Sequence, residues 1–422
     1  MVLKKKGVFL VMIMLIGCNL CACRQENEIS NESLARKNSI FHAKTESTEE
    51  NVEQWEKGYD LPVDEQEEEE ARDDCKKIMK LVFNIYKSAD KGAASNIVLS
   101  DAAVSKMQEK AAEMGYAVIA DVTYSDMRNY ENMGDFLENC KNGKRDSEVV
   151  YEVCKDGGIG RMKFIFDGTD MYVISARGVW NKDDNPGISY ISYTRIKDWK
   201  YTPKGWFCYE LCVPEPPEVS EIVDGSRLIR VKPMTEEQRE MSEKCVRGIG
   251  YQGNNLLCSN WDSDHMEKLD FNGLYEYLYT MKYGEKLNPE NYPNGIPKEE
   301  FESLIMEYLP IKAEQIRMYA VFDEENQTYV WARLGCGNYA PTFFGTSLPE
   351  VTDIRENDDG TVTLTVEAVC DTVICDDAVI THELTVRFLE NGSFRYLSNI
   401  ILDDGVQDIP EYQYRIRNKT AD

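Results

Sequence analysis

The chain is 422 residues long and carries 75 Asp and Glu against 48 Lys and Arg, a formal net charge of −27, with three histidines and 13 cysteines. A surface this acidic repels phosphate, which argues against nucleic acid and anionic lipid as charge-held partners. The length suits more than one domain, and three histidines leave little material for a histidine-rich metal centre.

The first element is a basic start, Lys4 to Lys6, followed by an apolar run. From Gly7 to Gly17 the run would make roughly 16 Å of helix, about half the hydrocarbon thickness of a bilayer. It is too short to span and has the layout of an export signal. Its end, Leu15, Ile16, Gly17 and Cys18, resembles the lipobox of bacterial lipoprotein precursors. That resemblance implies a signal peptide over 1–17 and a diacylglyceryl group on Cys18. Leu20, Cys21, Ala22 and Cys23 form a poorer second match, and a plain secretory signal is the alternative. The resemblance implies a chain held by lipid at the extracytoplasmic face of the cell membrane, since acyl chains supply about 0.8 kcal/mol per buried methylene.

Residues 18–74 read as a lipidated cysteine and a disordered acidic tether. Between Arg24 and Asp74 stand 17 acidic and 6 basic residues, including the block Asp64 to Glu70. Such a stretch has too little apolar surface to offset its conformational entropy, and as a coil it would reach roughly 40 Å.

A folded body is expected from Cys75. Over 75–213 three helices come first: Ile78, Val82, Ile85 and Tyr86 share one face, a second helix is capped by Ser100, and a third carries Met133, Phe136, Leu137 and Cys140. The period then changes to two, predicting strands over 148–154, 161–180, 187–196 and 205–212, with a hairpin at Asp167-Gly168. The prolines of 213–219 mark a boundary. A connector over 214–266 holds a predicted hairpin at 221–231 and a helix opened by a Thr235–Gln238 capping box. The second domain, 267–410, repeats the plan. Helices carry Leu274, Tyr277, Leu278 and Met281, then Phe301, Leu304, Ile305 and Tyr308; strands follow at 315–323, 328–334, 361–369, 380–389 and 393–401. A tail occupies 411–422. The fold class is α+β, with two domains of helices packed on curved antiparallel sheets. That order of elements resembles the cystatin or NTF2-like cone, which by itself carries no function.

Chemistry-bearing patterns are sparse. Gly248, Gly250 and Gly253 match a dinucleotide-binding glycine pattern, but a helix precedes them where that fold needs a strand, so they read as a helix stop and loop. Asp262, Asp264 and His265 are the densest set of metal-capable side chains; capping of the following helix is the simpler account. No cofactor is expected. His382 falls on the apolar side of a strand pattern, as a hydrogen-bonded core histidine would. The ten cysteines of the body suit either disulfides or buried thiols. The loop Leu334 to Glu350 combines glycines, prolines and Tyr339, Phe343 and Phe344, and Trp206 and Tyr209 form a second aromatic group; both are candidate binding surfaces.

Three segments, 201–219, 334–350 and 369–399, resemble uncharacterised lipoproteins of gut Clostridia, a family without assigned function. The resemblance implies anchoring and transfers no catalytic residue. The expected role is a non-catalytic module that binds a protein, peptide or cell-wall component, with the oligomeric state open. The alternative is an extracytoplasmic hydrolase using Asp262, Asp264 and His265, with or without a metal.

Overall fold

The structure, a computed structural model, describes residues 54–92, 96–335, 345, 347–369, 378–402 and 409–416. Order begins well before Cys75. Asp64 caps helix α1 (Glu65–Ser88), accepting a hydrogen bond from the Glu67 amide at 2.8 Å, and Glu65, Glu67 and Glu68 crowd a first turn where the helix dipole favours negative charge. Ala71, Cys75, Ile78, Met79, Val82 and Tyr86 form its buried stripe.

The acidic block at 64–70 is therefore helix rather than a solvated spacer, a correction to the tether reading from residue 54 onward. The remainder of the tether, with Cys18 and Cys23, lies outside the described residues. The cause is tertiary charge compensation. Arg161 is fully buried; its Nη2 meets Glu70 Oε1 and its Nε meets Asp74 Oδ2, each at 2.9 Å. Beside it, Lys163 Nζ holds both oxygens of Glu67, at 2.6 and 2.8 Å.

Arg161 and Lys163 belong to a seven-stranded sheet in sequence order: β1 (Ala117–Ala120), β2 (Asp146–Val153), β3 (Ile159–Phe166), β4 (Met171–Trp180), β5 (Pro186–Tyr201), β6 (Trp206–Leu211) and β7 (Ser226–Arg230). β1 runs parallel to β2, and the other pairs are antiparallel. Alternate side chains face opposite ways along each strand. Tyr151, Val153 and Ile159 therefore pack under α1 and α2 (Asp101–Ala112), among Ile78, Val82, Val104 and Met107. On the other face Val150, Phe164, Phe207 and Ile229 pack against Phe136 and Leu137 of α3 (Tyr130–Lys141).

A separate apolar core lies in the second half. It is built from α4 (Glu236–Met241), β8 (Trp261–Asp262), α5 (Phe271–Tyr283), β9 (Ile296–Pro297), α6 (Lys298–Tyr308), α7 (Ala313–Tyr319), β10 (Phe322–Asp323), β11 (Thr328–Tyr329), β12 (Leu348–Glu356), β13 (Val362–Val369), β14 (Thr381–Phe388) and β15 (Phe394–Ile401). β12 to β15 form an antiparallel meander with β8 on its β15 edge, and β10, β11 and β9 make a small second sheet.

The Ser100 cap and the Thr235–Gln238 capping box form as expected. Three strand expectations do not. Residues 315–319 belong to α7, because Gln315 Oε1 accepts from the Lys312 amide at 3.2 Å and Ile316 is fully buried, while strand structure waits until Phe322. Of 328–334 only two residues pair. The expected hairpin at 221–231 keeps one strand, β7, which pairs with β6. Conversely β12, with its proline and charges, was not anticipated; Leu348 to Val351 pair with Val366 to Val369, and the register shifts at Thr352.

Arg161→Met should cost about 3 kcal/mol of unfolding free energy, because Asp74 would face the sheet without a counter-charge and Glu70 would keep only Lys163, at 3.5 Å. Urea unfolding measures it. A loss below about 1 kcal/mol, the size of an exposed pair, would show that α1 is held by its apolar stripe alone.

Candidate functional site

The candidates read from sequence are scattered. Tyr339, Phe343 and Phe344 lie outside the described residues. Tyr209 is 3% exposed, stacked on Phe207 with ring centroids 4.8 Å apart and set edge-on to Phe164. It faces α3 because β6 alternates, so it is core and offers no binding surface, which corrects its place among the binding candidates. Trp206 points the other way and is half-buried. Its ring lies 4.0 Å beneath the Arg230 guanidinium, and Arg230 pairs with Glu350 at the start of β12. Trp206 therefore belongs to the junction between the halves of the chain. Tyr124, donating to the Pro349 carbonyl, and Arg239, paired with Asp126, share that junction.

Asp262, Asp264 and His265 sit on an exposed turn. Asp262 Oδ1 accepts from the Asp264 amide at 2.8 Å, the His265 amide at 3.0 Å and His265 Nδ1 at 2.9 Å. These bonds hold the Asp262 carboxyl below its ordinary value, and the partner carboxylate raises that of His265. The helix that follows, α5, is capped by Asp270 and not by this turn. Among the described residues no group of three or more His, Cys, Asp and Glu side chains is placed to hold a metal ion.

His382 is fully buried in β14, as its strand pattern suggests. Asn399 donates through Nδ2 to the Ser259 carbonyl at 2.9 Å, which leaves its Oδ1 to accept from His382 Nδ1 at 2.6 Å. The other ring nitrogen, Nε2, accordingly accepts from the Tyr251 hydroxyl at 3.0 Å. Glu383 points to the opposite sheet face and takes no part. Burial pushes the imidazole down to about 4, so it is neutral at pH 7.

The described cysteines are buried, and Cys75, Cys140, Cys154, Cys212, Cys245 and Cys258 carry no disulfide. Burial pushes Cys75 up to about 11 and Cys140, Cys154, Cys245 and Cys258 up to about 12. Such thiols stay protonated and are poor nucleophiles. Cys154 has the most polar surroundings: Arg177 donates to its sulfur and grips both oxygens of Asp156 at 2.8 Å, while burial raises the nearby Glu152 carboxyl.

A concavity among the described residues has no counterpart in the sequence reading. Where β6 leaves the sheet at Cys212, the segment 58–61 takes its place along β5. The Arg195 amide donates to Gly58 O at 2.7 Å and the Leu61 amide to Tyr193 O at 3.0 Å, while the Cys212 amide still reaches Arg195 O at 2.9 Å. The incoming and outgoing chains diverge there and leave a cleft of about 350 Å³ lined by Lys57, Tyr59, Arg195, Lys197, Leu211, Cys212, Val213, Glu215 and Glu218. Gly58 is required at the fork: its φ is +80°, and a Cβ would stand 2.8 Å from Cys212 Sγ and 3.1 Å from Arg195 Nε. Lys197 Nζ pairs with Glu210 at 2.9 Å, Lys57 with Glu218 at 3.6 Å, and Tyr59 donates its hydroxyl to Glu218. Arg195 differs: its Nη2 donates to the Glu56 carbonyl at 3.2 Å, and no carboxylate among the described residues lies within ion-pair distance. The sequence signal was slight, a glycine beside a lysine inside an acidic stretch.

Residues 68–415, from the second turn of α1 to the last described residues, match a family of unknown function. The chain belongs to that family, DUF6070. The matched region holds most of the cleft, while Lys57 and Tyr59 precede it. No curated protein and no solved structure matches the chain.

The histidine network sets a pH dependence. An unfolded His382 takes up its proton below about pH 6.5 and the folded one only near 4, so its contribution is complete above 6.5 and lost as pH falls between the two. The two-and-a-half-unit gap corresponds to on the order of 3 kcal/mol. Denaturation between pH 7 and 4.5 should show His382→Gln losing less stability than the natural chain. Parallel losses would move the source to the carboxylates.

Proposed function

We propose that this DUF6070 protein is a lipoprotein, anchored through a diacylglyceryl group on Cys18 to the extracytoplasmic face of the cell membrane, and that its body is a non-catalytic module for a protein, peptide or cell-wall ligand. The observation that carries the anchoring is the sequence of Leu15, Ile16, Gly17 and Cys18 directly after a half-bilayer apolar run. Among the described residues no helix is long and apolar enough to cross a membrane.

Binding rather than chemistry is favoured by the state of the described titratable groups. The cysteines with shifted values are raised, which keeps them as unreactive thiols, and His382 is buried with both ring nitrogens taken by Tyr251 and Asn399. The turn at 262–265 gives the hydrolase reading no support, since Asp262 spends its oxygen on the turn itself. The cystatin or NTF2-like cone in each of two domains is the finer fold reading, supported by the order of helices and strands along the chain.

Metabolic labelling with palmitate tests the anchor. The natural chain should take up label and sediment with membranes, and Cys18→Ala should abolish both. Label retained by Cys18→Ala and lost in Cys23→Ala would move the site; an unlabelled chain in the cytosol with its first methionine intact would overturn the proposal.

A further inference from the structure

We propose that the cleft between residues 57–59, β5 and the 212–218 loop binds a small zwitterion, an amino acid or the terminus of a short peptide, with Arg195 taking its carboxylate and Glu215 its ammonium group. The inference rests on the reading of the chain as a binding module and adds the class of ligand.

Charge is the first support. In a chain of formal charge −27, this cleft gathers Lys57, Arg195 and Lys197 in its lining. Two of the three are matched within the protein, Lys197 to Glu210 and Lys57 to Glu218. Arg195 is not. Its guanidinium is held in place by the Glu56 carbonyl and by Cys212, and Asp170 acts on it only from beyond ion-pair distance, so no contacting carboxylate matches its charge. A guanidinium is a planar fork of donors suited to a carboxylate, and held still it loses little freedom when it is used.

The opposite sign is present too. Glu215 lines the same cleft, exposed, and no cation among the described residues pairs with it. A simple anion would be repelled by Glu215 and a simple cation by Arg195. A ligand carrying both charges satisfies each.

Size and construction agree with this. A volume of about 350 Å³ lies at the small end of ligand sites, which run from ~300 to 1,000 Å³. Leu211 and Val213 supply an apolar portion of the lining for a side chain. The walls are fixed by backbone hydrogen bonds that both 58–61 and Cys212 make to the same edge of β5, and by the close approach of Gly58 to Cys212, so the cleft is built before a ligand arrives.

Isothermal titration calorimetry on the full-length chain in detergent tests the assignment, with L-alanyl-L-alanine, L-alanine, the dipeptide amide and the N-acetyl dipeptide as probes. The dipeptide or the amino acid should bind saturably at millimolar concentration, and whichever is tighter identifies a peptide or a free amino acid as the source. Removing the carboxylate as the amide, or the charge as Arg195→Gln, should weaken binding by about tenfold or more, the range for a charge-assisted pair. Because the Arg195 side chain also braces Glu56 and Cys212, Glu215→Gln gives a reading free of folding effects. It should weaken the dipeptide several-fold and leave the N-acetyl form, an anion that Glu215 repels, no weaker. Equal affinity for acid and amide, an unaltered dipeptide affinity in Glu215→Gln, or no saturable heat with any probe would overturn the proposal. Those results would leave the lipid anchor standing, just as a failed palmitate experiment would leave the cleft standing.

Discussion

A single buried cation organises the first half of the molecule. Arg161 sits on β3 with no solvent exposure, and a guanidinium withdrawn from water must be matched by negative charge or it destabilises the fold by several kcal/mol. Its matches, Glu70 and Asp74, lie four residues apart on one face of α1, and Lys163 two residues along β3 reaches Glu67 one turn earlier. The sheet and the acidic end of the helix therefore require each other. With α1 laid across β3 to β5, the residues before it are brought back along β5. The lane that β6 vacates at Cys212 is then filled by 58–61, and the cleft follows from that filling.

The same economy recurs where the halves of the chain meet. Arg230 stacks on Trp206 and pairs with Glu350, Lys204 reaches Glu367 at 2.9 Å, and Arg239 pairs with Asp126. Near the end of the described chain Arg415 pairs with Glu276 at 2.6 Å, and Tyr412 donates to Asp270 at 2.7 Å. A protein with 27 more acidic than basic groups thus places many of its cations at joints, where low dielectric makes a matched pair specific about geometry. Arg195 stands out against this usage as a cation held in place by neutral partners.

Apolar spacing was a good guide wherever one element met one core. The stripes of α1, α2, α3, α5 and α6 and the two-residue period of β2 to β6 follow from it, as do the Ser100 cap and the Thr235–Gln238 box, because those signals act within a few residues. It misled where charge or local capping decided. The block at 64–70 resembles a solvated spacer by composition, and Arg161 and Lys163, some ninety residues away, match its charge on the sheet. At 313–319 the Gln315 side chain bonded to the Lys312 amide and one buried isoleucine prevailed over a strand-like pattern, and at β12 pairing with β13 drew a proline and several charges into a sheet.

What the sequence determined alone is therefore local: the α+β class, most helices and hairpin turns, and a core histidine in β14. These depend on hydrogen bonds and burial periods spanning a few residues. The tertiary structure alone decided that the acidic stretch folds, that Tyr209 is core while Trp206 is a joint, that Asp262 and His265 form an isolated surface pair, and that Lys57, Arg195 and Glu215 line one cleft. Each of these is a meeting of residues distant in the chain. Coulombic matching and strand register act through space, and neither leaves a period in the sequence.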